Sequence, residues 1–87
     1  MGWICDDWQP KNGNGTRKAL LTAPDGRTIF HLRIWRIMPY WYGCVFDGPR
    51  LTNHRLCDPV RCDTEVEAKQ AAESEARKLY AMFGGKQ

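Results

Sequence analysis

Four cysteines and two histidines are the residues of this chain best suited to chemistry, and three of the cysteines fall in its second half. Thiolates and neutral imidazoles are the donors that zinc takes in a tetrahedral set of four. The run His54-Arg-Leu-Cys57-Asp-Pro-Val-Arg-Cys62, with Cys44 or Cys5 as a fourth donor, supplies the right residue types. Its spacing argues against a site, because no Cys-x2-Cys pair is present and His-x2-Cys-x4-Cys fits none of the common finger or knuckle patterns. Unligated thiols are the expected state, with a zinc site and a disulfide as alternatives, and no cofactor is expected.

Catalytic groupings are equally hard to assemble. Ser74 is the only serine, and it stands between Glu73 and Glu75 inside a helical pattern. His31 and His54 have no neighbouring cysteine or carboxylate in an arrangement that would assign nucleophile, base and orienting group. Asp25 and Asp47 precede glycines, which is a turn position for aspartate. Neither a phosphate-binding loop nor a metal-hydrolase helix is present, so the expectation is a non-enzymatic protein without a small-molecule substrate.

Binding chemistry is better represented. Along the segment 28–37 apolar residues alternate with others: Phe30, Leu32 and Ile34 share one side, while Ile29, His31, Arg33, Trp35 and Ile37 share the other. Only the first set buries cheaply, since an unpartnered guanidinium in a core costs several kcal/mol. The second set should therefore face solvent or a ligand. Ile29, His31, Arg33, Trp35, Arg36 and Trp41 are the candidate partner-binding residues, with either Tyr40 and Tyr42 or Trp41 and Val45 alongside. Trp, Tyr and Arg are enriched where protein partners bind most tightly, and aromatic-plus-arginine surfaces also stack on bases. Trp3 and Trp8, folded over this same face as a second small core, are the competing expectation.

The elements that must hold these residues can be read from punctuation. Residues 1–15 form an N-terminal arm and loop, ending in the positive-φ-tolerant run Asn12-Gly13-Asn14-Gly15. Residues 16–56 carry the strands: 16–23 and 28–37 flank the turn Pro24-Asp25-Gly26-Arg27, Met38-Pro39 interrupts, 40–46 resumes, and 51–56 is a possible edge strand. The stretch up to Asp63 reads as loop. Thr64-Glu65-Val66-Glu67 has the capping-box form and opens a helix over 64–83, which contains no Gly or Pro and is followed by Gly84-Gly85. Ala68, Ala71, Ala72, Ala76, Leu79, Met82 and Phe83 give it one apolar face, expected in the core. Glu65/Lys69 and Glu73/Arg77 are favourable i,i+4 pairs. The fold class is α+β, a three- to four-stranded antiparallel sheet packed on one C-terminal helix, and 87 residues support one such core.

The net charge of +3 sits in the sheet half, where nine basic residues face six acidic ones up to Asp63, against four and four beyond it. That excess is modest for a nucleic-acid footprint. No apolar run reaches the roughly 18 residues of a membrane span, and Met1-Gly2-Trp3-Ile4-Cys5-Asp6 has neither the basic nor the apolar region of a signal peptide. A cytoplasmic protein that does not engage membranes is expected.

The pattern of short strands with a Trp-Tyr-Gly run (Trp41-Tyr42-Gly43), a Thr-x-x-Glu cap and an alanine-rich helix resembles integrase arm-binding and Apetala-type DNA-binding domains. That resemblance implies a sheet laid in the major groove of double-stranded DNA, with Arg17, Arg27, Arg33, Trp35 and Arg36 as contacts. In its size, its cysteine-tolerant composition, its tryptophans and the Thr64 to Ala68 helix start, the chain is also similar to small accessory proteins of bacteriophages and mobile elements, including anti-CRISPR inhibitors. This second resemblance implies a stoichiometric inhibitor that occludes a surface of a host protein or nucleoprotein complex, and it is the preferred expectation.

Overall fold

The computed structural model describes residues 2–10, 15–46 and 55–84, with backbone alone at 83 and 84. Its elements are β1 (Ile4–Cys5), β2 (Gln9–Pro10), β3 (Arg17–Thr22), β4 (Ile29–Ile37), β5 (Tyr40–Phe46), β6 (Val60–Cys62), helix α1 (Glu65–Leu79) and a π-helical turn, Tyr80–Gly84. The strands form one antiparallel sheet in the order β1-β3-β4-β5-β6, and β2 also pairs with the outer edge of β3. The α+β class is thus as expected, but the sheet has six strands in place of three or four. β1 and β2 come from the arm and β6 from a stretch read as loop. Strands of two or three residues are too short to show alternation, and their pairing is dictated by the β3 and β5 edges they lie against. Of the possible edge strand 51–56, positions 51–54 lie outside the described residues, and Arg55 makes an isolated bridge to Phe46.

Turn chemistry fixes the central hairpin. Gly26 N–H donates to Ala23 O at 2.9 Å, Gly26 takes φ +75°, and the Asp25 carboxylate accepts from the N–H groups of Arg27 and Thr28 and from the Thr28 hydroxyl. Those backbone donors hold the Asp25 carboxyl below its ordinary pKa. A cis Met38-Pro39 link joins β4 to β5, and Ile37 opposes Tyr40.

The helix is built as its sequence specifies, with one change in detail. Glu67 N–H donates to Thr64 Oγ1 at 3.1 Å, while the Glu67 carboxylate accepts from the amide of Asp63, one residue earlier than the cap amide itself. Thr64→Ala should cost about 1 kcal/mol, read as a fall of about 4–8 °C in melting temperature for a domain of this size. Both expected pairs are present, Glu65–Lys69 at 3.3 Å and Glu73–Arg77 at 3.8 Å. Glu65 also accepts from Arg17 Nε at 3.3 Å, tying the helix start to β3. Burial pushes the Glu65 carboxyl upward, but Lys69 and Arg17 outweigh it and leave the group below its usual pKa.

Ala68, Ala72 and Ala76 are fully buried, and Ala72 and Ala76 pack in one cluster with Leu21, Phe30, Leu32 and Val45. Small side chains at i, i+4 and i+8 let the helix axis lie close to the sheet. The closest approach is at Gly43, where a Cβ would strike the carbonyl oxygen of Ala68. The apolar stripe continues as expected to Leu79, half-buried and packed on the core, but Met82 is exposed, and the side chain of Phe83 lies outside the described residues. A π turn carries more residues per turn than an α turn, so the change at Tyr80 rotates later positions off the α-helical stripe. Tyr80 packs against the core beside Leu79, together with Trp3 and Trp8. No described helix is long and apolar enough to cross a membrane.

Candidate interaction face of the sheet

Register assigns every strand residue to one of two faces, because cross-strand partners point the same way. Ala19, Leu32 and Val45 form one row, Leu21 and Phe30 another, and Ile34 and Gly43 a third, all beneath the helix. The opposite face carries Ile29, His31, Arg33, Trp35 and Ile37 from β4. Beside them lie Lys18, Leu20 and Thr22 of β3, Tyr40, Tyr42, Cys44 and Phe46 of β5, Arg61 of β6, and Ile4 of β1. The polarity read from alternation in β4 therefore holds, and of the two aromatic sets the tyrosines 40 and 42 lie alongside it.

Two candidates fall on the wrong side. Arg36 pairs with Trp41, with its guanidinium carbon 5.7 Å from the indole centroid, and both share the parity of Ile34 and Gly43. They lie on the helix-bearing face, past the point where the helix begins. Arg36 follows Trp35 directly, and adjacent strand residues point to opposite faces. The DNA-contact set implied by resemblance divides in the same way. Arg17 faces the helix, Arg27 sits in the hairpin turn, and of that set only Arg33 and Trp35 share the open face.

The N-terminal tryptophans do not cover the open face. Trp3 meets Phe30 at 6.2 Å and Tyr80 edge-on at 5.2 Å, with Arg77 5.7 Å from its ring, all on the helix side. Trp8 lies 5.7 Å from the Lys69 ammonium. The described part of the arm extends the main core and does not cover the other side of the sheet, where Cys44 and Phe46 are buried and Ile4, Ile29 and Ile37 are exposed.

On that side aromatic rings and cations are layered. Arg33 lies over the Phe46 ring at 4.2 Å, Trp35 stacks on Tyr42 at 6.0 Å and 13°, and its edge meets Phe46 at 6.3 Å. Arg61 lies over Tyr40 at 4.5 Å. These contacts restrict the rings and the long cationic side chains of this face. Four aliphatic side chains around them are open to solvent: Ile4 (60% exposed), Leu20 (38%), Ile29 (49%) and Ile37 (58%). Among the described residues no strand contains an acidic side chain. β4 runs about 26 Å across this face, and four inter-strand steps span about 19 Å.

Sequence reasoning missed Ile4, Leu20, Lys18 and Arg61 as members of the face. Leu20 and Lys18 were legible, since β3 alternates Lys18-Ala19-Leu20-Leu21, whereas Ile4 and Arg61 sit in strands too short to signal themselves. A separate cleft of about 540 Å³ lies on the helix side between Phe30, Leu56, Leu79 and Tyr80, with Arg55 on its rim.

The thiols divide between faces as well. Cys44 is buried with its Sγ 3.8 Å from Cys57 Sγ and 3.3 Å from Cys57 O. Burial, with the adjoining Cys57, pushes the Cys44 thiol up to about 12. Cys62, opposite Trp41, belongs to the other face, and His54 lies outside the described residues. The zinc alternative thus loses Cys62 as a companion of Cys44, and among the described residues no three potential ligands cluster. Compared with known proteins, the chain matches no family model, no curated protein sequence and no solved structure.

Proposed function

We propose that this chain is a non-enzymatic binding module that covers the surface of a protein partner with the open face of its sheet. The partner's matching surface is apolar with carboxylates around it. The observation that carries this reading is the combination on one face of four exposed aliphatics, a Trp35–Tyr42 stack and cations at Lys18, Arg33 and Arg61, without an acidic strand residue among them.

Charge alone would suit DNA equally well. The aliphatics favour protein, because exposed isoleucines gain nothing from phosphates, and the arginines that a groove-bound sheet would need are divided between faces. Covering a working surface is how small phage inhibitors of the anti-CRISPR kind act, and a module of this size is suited to the same use against a host protein or nucleoprotein complex.

Affinity capture from nuclease-treated native cytosol tests the reading. A partner protein should be retained, and Trp35→Ala should weaken its binding by roughly thirtyfold, the effect of losing a central aromatic anchor. Circular dichroism must show the variant folded, since its ring also packs on Tyr42 and Phe46. Retention that vanishes with nuclease, or binding to duplex DNA that falls steeply with salt, would replace the protein partner by nucleic acid. Concentration-dependent self-association lost in the same variant would make a second copy the occupant.

A further inference from the structure

We propose that Cys44 and Cys57 are a disulfide-forming pair, closed by thiol–disulfide exchange with a low-molecular-weight disulfide. The inference does not rest on the proposed function, although Cys44 belongs to the same face of the sheet as Arg33. Cys44 is in β5 and Cys57 in the segment that returns beside it, where Phe46 bridges Arg55 and Leu56 N–H donates to Val45 O at 2.9 Å. That pairing brings residues 13 apart in sequence to an Sγ–Sγ separation of 3.8 Å. A bonded pair needs about 2.05 Å, so the proposed closure requires the two sulfurs to approach by side-chain rotation.

The other two thiols are placed differently. Cys5 is exposed on the outermost strand, on the helix side, where burial and then the Glu73 and Asp6 carboxylates push its thiol up to about 11. Cys62 is on the helix-bearing face of β6, where burial and then Glu67 and Asp63 push its thiol up as well. The thiol–thiol contact among the four cysteines is the Cys44–Cys57 one.

Exposure sets the order of events. Cys44 is closed to solvent and Cys57 is half-buried, so an external disulfide RSSR meets Cys57 first. The Cys57 thiolate attacks one sulfur, a Cys57–SR bond forms, and RS⁻ leaves. The Cys44 thiolate then attacks Cys57 Sγ, the Cys57–SR bond breaks, and a second RS⁻ leaves. The two protons given up by the cysteines go to the leaving thiolates, so two cysteine thiols and RSSR become one protein disulfide and two RSH.

The test uses the folded, full chain with glutathione disulfide as probe, quenched with acid, alkylated and mapped by mass spectrometry. The expected product has lost two hydrogens, links the Cys44 and Cys57 peptides in roughly tenfold excess over any other pair, and leaves Cys5 and Cys62 open to alkylation. Cys44→Ala, checked for folding by circular dichroism, should accumulate a lasting glutathione adduct on Cys57. Cys57→Ser should form neither product. A wild-type protein that keeps the Cys57 adduct without closing, links Cys5 or Cys62 instead, or stays unmodified while the denatured chain reacts would overturn the proposal. The wild-type map decides the matter even if the Cys44 variant does not fold.

Discussion

Gly43→Ala lowers the melting temperature by about 12–24 °C, the largest stability effect expected of any single added methyl group in this protein. The reason is where the helix meets the sheet. At Gly43 the added Cβ collides with the backbone carbonyl of Ala68, and Ala72 N lies 3.4 Å away. A side chain in the way could rotate aside, but a helix backbone moves only as a body. Lifting it would loosen Ala68, Ala72 and Ala76 from the sheet together. Overpacking of this kind costs about 3 kcal/mol, a large share of the roughly 4–13 kcal/mol that a domain of this length has in total. Gly2→Ala is the control, because a Cβ there meets nothing within 4 Å. Thermal denaturation of both variants checks the claim. A Gly43→Ala protein that melts within a few degrees of the parent would show that the helix rides farther from β5.

This contact also marks what could and could not be read from the amino-acid order. The alternation in β4 and the four-residue spacing of alanines in α1 are local patterns, and each announces which side is buried. They gave the polarity of the sheet and the small-residue face of the helix. Gly43 carries no such mark. Its glycine is required by a backbone 25 residues away in sequence (Ala68), and nothing in Trp41-Tyr42-Gly43-Cys44 says so. The same limit applies to the arm. Trp3 and Trp8 were recognisably apolar anchors, but which face they would join depended on β1 and β2 pairing with β3. Two-residue strands are specified by their partner's edge and hardly at all by themselves.

Parity explains the errors in the candidate site. Arg33 and Trp35 were placed correctly because the period of two was applied within β4. Arg36 and Trp41 were added because arginine and tryptophan are the right residue types, and residue type does not fix side. Met82 was assigned to the core from an α-helical period that stops at Tyr80, where the winding becomes π. In each case a local rule was carried one step past the element that obeys it.

The strongest consequence for function concerns the aliphatics at the two ends of β4. Ile29 and Ile37 are 49% and 58% exposed, eight residues apart on one strand, and together they frame His31, Arg33 and Trp35. If the face docks an apolar surface ringed by carboxylates, Ile29→Glu combined with Ile37→Glu removes apolar contact at both ends and sets like charge against the partner. Affinity should fall at least about 100-fold, or about 2.7 kcal/mol. Stability should change little, because both side chains already face solvent, and a melting shift of a few degrees covers the lower strand propensity of glutamate. Val66→Glu serves as the comparison, since Val66 is 61% exposed on the helix, away from the face. It should bind as the parent does. Titration calorimetry on the captured partner separates the outcomes: unchanged affinity in a folded double variant would move the interface off this face, whereas equal losses in the double variant and Val66→Glu would show a general charge effect without a docking surface.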